Sequence, residues 1–413
     1  MARKLNILSE TGRLRRVIVH SPGAEVEAMR PSMAEEELYN DIIPLEIVKK
    51  EHEELKQFLG IVSDVYELKD LLTEVLSKPA QRKEFSKLLS THYKQDRRQE
   101  ELADMDAKTL AQISISGLPA RHFSLTDFLS NKEYDISPLP NMYFMRDAVM
   151  VFRNRSIFSA MRFPVRRAEA LINRFVFENH PDFTGGGMLL DGPSLVKDGF
   201  SVEGGDFQVI SGKLLAIGVS ERTSAAALDQ LAKAIAEIFG EEVTIFAVIL
   251  PVARATIHLD MVFTVIDSDA CLVYEPLILG PKRARVLRMD IAPGKNTVIS
   301  EADSLLSGLK SCGMDLQPIL TGGRDPLRQE REQWMSGANS FAFAPGKIIM
   351  YSCNVYTLEA LHRAGFELKS AKNFLEKKED PLSYRRLAVG FDGIELARGG
   401  GGARCMTCPI ERE

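Results

Sequence analysis

The sequence predicts an α/β fold built from repeated hairpin-plus-helix units and interrupted once by an all-helical module. Three observations carry this expectation. After Gly117, short apolar runs recur in pairs, each pair split by a polar turn and most followed by a stretch of helical period. Between residues 68 and 117 lies a strongly charged block with helical and no strand signals. In 413 residues, 45% hydrophobic against 26% charged content is that of a chain able to bury a sizeable core.

The elements follow in order. Leu14 to His20 reads as a strand, because Val17, Ile18 and Val19 run together and stop at the turn signal Ser21-Pro22-Gly23. A helix is expected around Leu45 to Leu59 and a short strand around Val62 to Tyr66. Leu68, Leu71, Leu72, Val75 and Leu76 then fall at i, i+3, i+4, i+7 and i+8, one face of a helix. Helical, charged sequence continues to about Ile115, interrupted by Pro79. Its charges, among them Arg82, Lys83, Glu84, Lys94, Asp96, Arg97 and Arg98, mix both signs, which marks a solvated face. The chain therefore divides into residues 1–67, a helical insertion at 68–117, and the remainder at 118–413.

Three later segments share one pattern of polar residue, strand, turn, strand and helix. They start at Asp147, Asp206 and Asn339, with helices expected over Val165–Glu178, Ser224–Phe239 and Tyr356–Ala364. A fourth segment, from Asp260, has the hairpin but no immediate helix. Spacings of about 50 to 80 residues are too irregular for a tight solenoid. If the units are related by rotation, the polar residues at the strand starts converge on one axis and form a buried polar site.

Composition excludes several function classes. A net charge of −5 gives no reason to expect nucleic acid. No run approaches a membrane span, and Met1 to Gly12 lacks the apolar centre of a signal peptide. Five scattered cysteines, an odd number, do not make a disulfide framework, so a reducing, cytoplasmic setting is expected.

The C-terminal tail is the most informative stretch. Four glycines, Gly399 to Gly402, lead into Ala403-Arg404-Cys405-Met406-Thr407-Cys408. Such a run costs backbone entropy and packs no side chain. It makes sense where backbone passes close to another group and presents the next side chain, here a thiol. Three further constellations stand out: Asn141 to Asp147, Glu203-Gly204-Gly205-Asp206, and His258-Leu259-Asp260. His258 and Asp260, read as strand residues two apart, share a face. Ionisable groups among such apolar flanks are costly unless matched. Each has an ordinary alternative: Asp147 capping a turn or pairing with Arg146, Glu203 solvated beside glycines, His258 satisfied in a core. Together with Cys405 those alternatives need four coincidences.

A zinc site fits poorly, because Cys405-x-x-Cys408 has no second ligand pair at finger-like spacing. A thioredoxin-like role would place the motif at the start of a helix with chain to follow. Nucleophilic attack on a cation remains. A planar guanidinium offers five N–H donors to paired carboxylates.

At this point the segments PLPNMYFMRD, VEGGDFQVI, GVSERT, IHLDMVFT and GGGGARCMTCPIERE, with SETGRLRRVIVHSPG and REQWMSGAN, resemble arginine deiminase over essentially the whole chain. The resemblance implies a five-unit pseudo-symmetric α/β propeller with an inserted all-helical module. It implies hydrolysis of free L-arginine by water to citrulline and ammonia, with no metal and no organic cofactor. Carried over by position, it makes Cys405 the nucleophile that forms an amidino-cysteine intermediate. Asp147 and Asp260 would hold the guanidinium, and Glu203 and His258 would be the acid/base pair. Asn141, Arg166 and Arg222 would hold the substrate carboxylate, while Arg146 would support the Asp147 turn. A homo-oligomer is compatible with it.

Two departures stand out. Met145 replaces a threonine that many members carry, and the glycine run lacks the arginine of some members, with Arg398 just upstream instead. Three competitors remain at this stage: an amidinotransferase passing the amidino group to an amine, a non-catalytic arginine binder, and a CxxC redox protein. Carboxylates around a thiol oppose its ionisation, so Cys405 is expected to carry a raised pKa that the substrate's own charge relieves.

Overall fold

Among the described residues, five sheets repeat one local pattern, an antiparallel pair followed by a third strand joined in parallel to the second. The computed structural model describes residues 5–413 apart from residues 40, 123, 130–131, 197–199 and 378. In chain order the triplets are Val149–Phe152, Arg155–Phe158 and Met188–Asp191, then Phe207–Ser211, Leu214–Val219 and Val243–Ile249. Phe263–Val265, Ala270–Val273 and Gln317–Leu320 follow, then Phe341–Ala344, Lys347–Tyr351 and Leu387–Phe391. The fifth is made by the chain ends: Cys408–Arg412 pairs antiparallel with Leu14–Val19, which pairs in parallel with Asp64–Glu67. A parallel neighbour requires a crossover. Helices supply it: Leu45–Val62, Arg167–Asn179, Ala225–Phe239, Leu305–Ser311 and Val355–Arg363. The chain is thus a mixed α/β protein.

Most sequence-based elements are present within a few residues. The stripe Leu68, Leu71, Leu72, Val75 and Leu76 is wholly buried on the helix Leu68–Leu76. Pro79 opens the next helix, Pro79–Tyr93, rather than breaking one, because its missing N–H costs nothing at a first turn. Gln99–Asp104 and Ala107–Ser116 complete the block, the latter capped by Asp106 and ended at Gly117 with φ 91°. These helices share one apolar core with the first sheet triplet, and Phe85 meets Phe175 with ring centres 4.9 Å apart. The helix from Leu45 runs on to Val62, since Phe58, Leu59 and Val62 still face the core, and this delays the strand to Asp64.

Three expectations are corrected. His258 and Asp260 do not lie on a strand. His258 caps a 3-10 turn, Leu259–Met261, and the strand starts only at Phe263. The Asp206 carboxylate draws the chain into that turn by accepting the Leu259 N–H at 2.9 Å. Asp147 likewise sits in a single helical turn, Met145–Ala148, before its strand. The fourth unit has a short helix at once, Glu275–Ile278, then two antiparallel strands, Arg285–Ile291 and Val298–Ala302, that extend the neighbouring sheet.

The chain ends also meet in a buried ion cluster. Arg404 donates to Glu10 through Nη2 at 3.0 Å and Nε at 3.2 Å, to Asp260 Oδ2 at 2.8 Å and to the Phe207 carbonyl at 2.7 Å. Burial pushes the Glu10 carboxyl up, but Arg404, Arg146 and Arg412 outweigh it and bring it down to about 2. Its contribution to stability is therefore complete above its ordinary value of 4.5 and lost only as pH falls through about 2. Glu10→Ala strands a buried cation. Unfolding in urea should show a loss of about 3–5 kcal/mol, and a loss below about 1 kcal/mol, the level of an exposed pair, would refute the assignment.

Candidate functional site

Close approach explains the glycines. A Cβ on Gly402 would lie 2.6 Å from the Asn339 carbonyl oxygen, on Gly401 2.5 Å from the Phe144 ring, and on Gly399 2.3 Å from the Tyr143 hydroxyl. The run passes through a slot between the Asn339 and Phe144 segments, and the turn after it delivers a buried Cys405. Gly204 and Gly205 do the same on the opposite wall: their Cβ atoms would meet the Arg146 carbonyl at 1.9 Å and His258 Nδ1 at 2.3 Å. The expected support of the Asp147 turn by the Arg146 side chain is not what forms. Arg146 clamps the Cys405 segment instead, its backbone N–H on the Cys405 carbonyl at 2.9 Å and its Nε on the Arg404 carbonyl at 3.4 Å.

All eight residues singled out in the sequence come together. Cys405 Sγ lies 3.7 Å from Asp260 Oδ2. His258 contacts Glu203 Oε2 at 3.1 Å through Nε2 and faces Asp147 Oδ1 at 3.7 Å through Nδ1. Arg222 reaches Glu203 at 3.2 Å and lies over the Phe163 ring at 4.7 Å. Arg166 donates to Asp147 Oδ2 at 2.7 Å and to Glu169 at 2.8 Å. Asn141 donates to the Glu37 carbonyl at 2.8 Å. Sequence reasoning missed Glu10, Arg404 and the pairing of Glu169 with Arg166, and gave Asn339 no role beyond opening a repeat unit. For Asn339 the signal was that position, the same one that Asp147, Asp206 and Asp260 hold in theirs.

A cavity of about 30 Å³ is lined by Asn141, Asp147, Arg166, Arg222, His258 and Cys405, among others. It has room for about one water. Leu38, Arg222, Ile257, Gly399 and Gly400 line both it and a neighbouring cavity of about 290 Å³ that also touches Phe163, Glu221 and Arg254. Leu38 holds φ 68°, a left-handed backbone that leucine rarely adopts. Two buried oxygens, Asp147 Oδ1 and Asp260 Oδ1, have no hydrogen-bond partner, while the second oxygen of each is held by Arg166 or Arg404.

The charges set the protonation states. Burial opposes an imidazolium at His258, but Asp147, Glu203 and Asp206 outweigh it and lift it to about 9. Burial pushes Glu203 up, yet Arg222, His258 and Arg166 bring it down to about 2. Burial, Asp260 and Asp147 together push the Cys405 thiol far up. Asp147, Glu203 and His258 could by spacing hold a metal, their donor atoms lying within 4.8 Å of one another. A protonated His258 has no lone pair to offer a metal, and Glu203 is already paired with Arg222 and His258, so this set fits a metal ion poorly.

The fold places the chain in a class of α/β proteins that includes two solved enzymes. One is the N-terminal domain of an arginine dihydrolase from the ornithine-ammonia cycle in cyanobacteria, solved with product (TM-score 0.52, 14% identity, 96% of this chain and 97% of that one). The other is a dimethylarginine dimethylaminohydrolase bearing an S-methyl-L-thiocitrulline adduct (TM-score 0.50, 15% identity, 96% and 99%). At these identities the likeness is one of fold. The sequence goes further: the arginine deiminase family profile matches residues 36–412. Arginine deiminases of Lactococcus lactis subsp. lactis (34% identity, 99% of this chain, 98% of the relative) and Clostridium perfringens (31%, 100%, 98%) align end to end. The chain belongs to the arginine deiminase family.

Two measurements check the electrostatics. Iodoacetamide should label Cys405 slowly at neutral pH, with a rate still rising above the ordinary thiol value of 9.0; rapid labelling at pH 7 would contradict the carboxylate environment. The His258 ring, followed by NMR, should titrate near 9 rather than 6.5. The stabilisation from its ion pairs is then complete below 6.5 and lost as pH rises through about 9. Glu203→Gln should move that titration down, and an unchanged value would remove the pairing from the account.

Proposed function

We propose that this protein hydrolyses free L-arginine to L-citrulline and ammonia through a covalent intermediate on Cys405. The observation that carries this reading is a pair of buried carboxylates, Asp147 and Asp260, each with one oxygen that lacks a hydrogen-bond partner, close to a buried thiol. Leaving such acceptors unmade is costly, and a guanidinium supplies donors in the plane that two carboxylates need. The family assignment supports the same reaction.

In this scheme the substrate guanidinium binds between Asp147 and Asp260, and Asn141, Arg166 and Arg222 hold its carboxylate. The substrate's charge offsets that of the carboxylates, and the Cys405 thiol gives up its proton to water. Sγ then bonds to the guanidinium carbon. His258, already protonated at neutral pH, gives its proton to the departing nitrogen, and ammonia leaves an amidino group on sulfur. The neutral imidazole, held by Glu203, then takes a proton from an incoming water. Attack of that water breaks the C–S bond and yields citrulline. Each such proton transfer is worth roughly 10²–10⁴-fold in rate. Arginine does not fit the inner cavity of about 30 Å³, so Leu38 and the Gly399–Gly400 wall give way as it enters.

The five sheet triplets are read as five units of one propeller around this site. Residues 68–117 are read as an insertion between the 1–67 and 118–413 parts of the catalytic domain. No helix among the described residues is long and apolar enough to cross a membrane, and the reading places the reaction in the cytoplasm.

The decisive assay is arginine turnover by wild type and Cys405→Ala side by side. Equimolar citrulline and ammonia from wild type, and neither from the variant, is the expected result, with kcat/KM declining above about pH 9 as His258 loses its proton. A folded wild type that releases citrulline only when an amine acceptor is absent, and a new guanidino compound when one is present, would be an amidinotransferase. No product under either condition would reject the reading.

A further inference from the structure

Asn339 opens the fourth sheet triplet and is almost fully buried, with 1% of its surface exposed. The Cys405 backbone N–H donates to its Oδ1 at 3.1 Å. A backbone N–H can only donate, so the amide oxygen must face it and the NH₂ group must face the other way. That NH₂ lies 3.1 Å from Cys405 Sγ, 3.4 Å from the Asp260 carbonyl and 3.9 Å from Met261 Sδ, all acceptors. The orientation is thus fixed from both ends by the residue it serves. Gly402 makes the arrangement possible, because a Cβ there would lie 2.8 Å from both Cβ and Oδ1 of Asn339.

We propose that Asn339 is a further catalytic residue, whose Nδ2–H donates to the Cys405 sulfur and stabilises the thiolate both before attack and as it leaves. The inference rests on reading Cys405 as the nucleophile. The surroundings make the donor necessary. Asp260 at 3.7 Å and the nearby Asp147 both disfavour negative charge on sulfur. An arginine or lysine in this place would favour the thiolate but repel a guanidinium, the very group the carboxylates are arranged to hold. A neutral amide stabilises the anion and leaves the substrate's charge unopposed. Hydrogen bonds to a charged partner are the stronger kind, and both partners of this one are buried.

The test follows iodoacetamide alkylation of Cys405 against pH in ligand-free wild type, Asn339→Ala and Asn339→Asp. Without the donor the thiol should titrate about one unit or more higher, and Asn339→Asp, which keeps the acceptor for the Cys405 N–H but adds a charge, should move it further. In arginine turnover kcat should fall about 10- to 100-fold, while arginine binding, measured in a Cys405→Ala background, should be unaffected. Superimposable alkylation profiles would overturn the proposal, as would equal losses in binding and kcat, the mark of a merely structural asparagine. If Asn339→Ala does not fold, the near-isosteric Asn339→Asp carries the comparison alone. Because alkylation needs no arginine, it decides the role of Asn339 even if wild type turns none over.

Discussion

The site depends on one buried cation. Arg404 stands next to Cys405 and is bonded to Glu10 near the start of the chain and to Asp260 in its middle. In a medium of low dielectric, ions of this kind are stable only as a complete set. The cluster therefore joins three distant stretches, fixes the turn that presents Cys405, and keeps one oxygen of Asp260 occupied. The fifth sheet has the same logic at backbone level, since it pairs the last strand with the first. The C-terminal tail is ordered because its residues complete both structures.

Arg166 does for Asp147 what Arg404 does for Asp260. Each arginine holds one oxygen of its carboxylate and leaves the other without a hydrogen-bond partner. A core selected only for stability would satisfy or remove those two oxygens. Retaining them close to the same thiol is a cost that recognition of a cation accounts for. The glycines have a related purpose. Gly205 and Gly402 lie where a single added carbon would displace His258 or Asn339, so backbone forms the walls at points where side-chain thickness would separate the reacting groups.

Much of this was legible in the sequence, and the limits have physical causes. The hairpins from Asp147, Asp206 and Asn339 were readable because paired apolar runs bounded by turn residues carry local information. So was the helical stripe from Leu68. The turn at His258 was not: Leu259, Met261 and Val262 are buried as strand residues would be, and only the capping bond from Asp206, 53 positions away in sequence, distinguishes a turn from a strand. Glu10 and Arg404 are 394 positions apart, and each alone looks like a surface charge. Cys405 and the carboxylate motifs were legible because ionisable groups beside glycines and apolar runs are unusual. Asn339, a neutral residue, raised no such flag.

On the proposed reading, these features together describe a nucleophile that is inactive until its substrate arrives. In the free protein the thiol is held protonated by burial, Asp260 and Asp147, and the cavity beside it has room for little more than a water. His258 is already protonated, so it cannot deprotonate the thiol, yet it is ready for the leaving nitrogen. Only a planar cation entering between the carboxylates changes the balance, because its charge cancels the field that suppresses the thiolate. A neutral electrophile of the same size gains nothing from Asp147 and Asp260 and meets a thiol rather than a thiolate. Selectivity and activation thus come from the same two carboxylates. It follows that the group touching the Cys405 sulfur must favour its anion without adding a further positive charge, which is the property that an amide has and a lysine lacks.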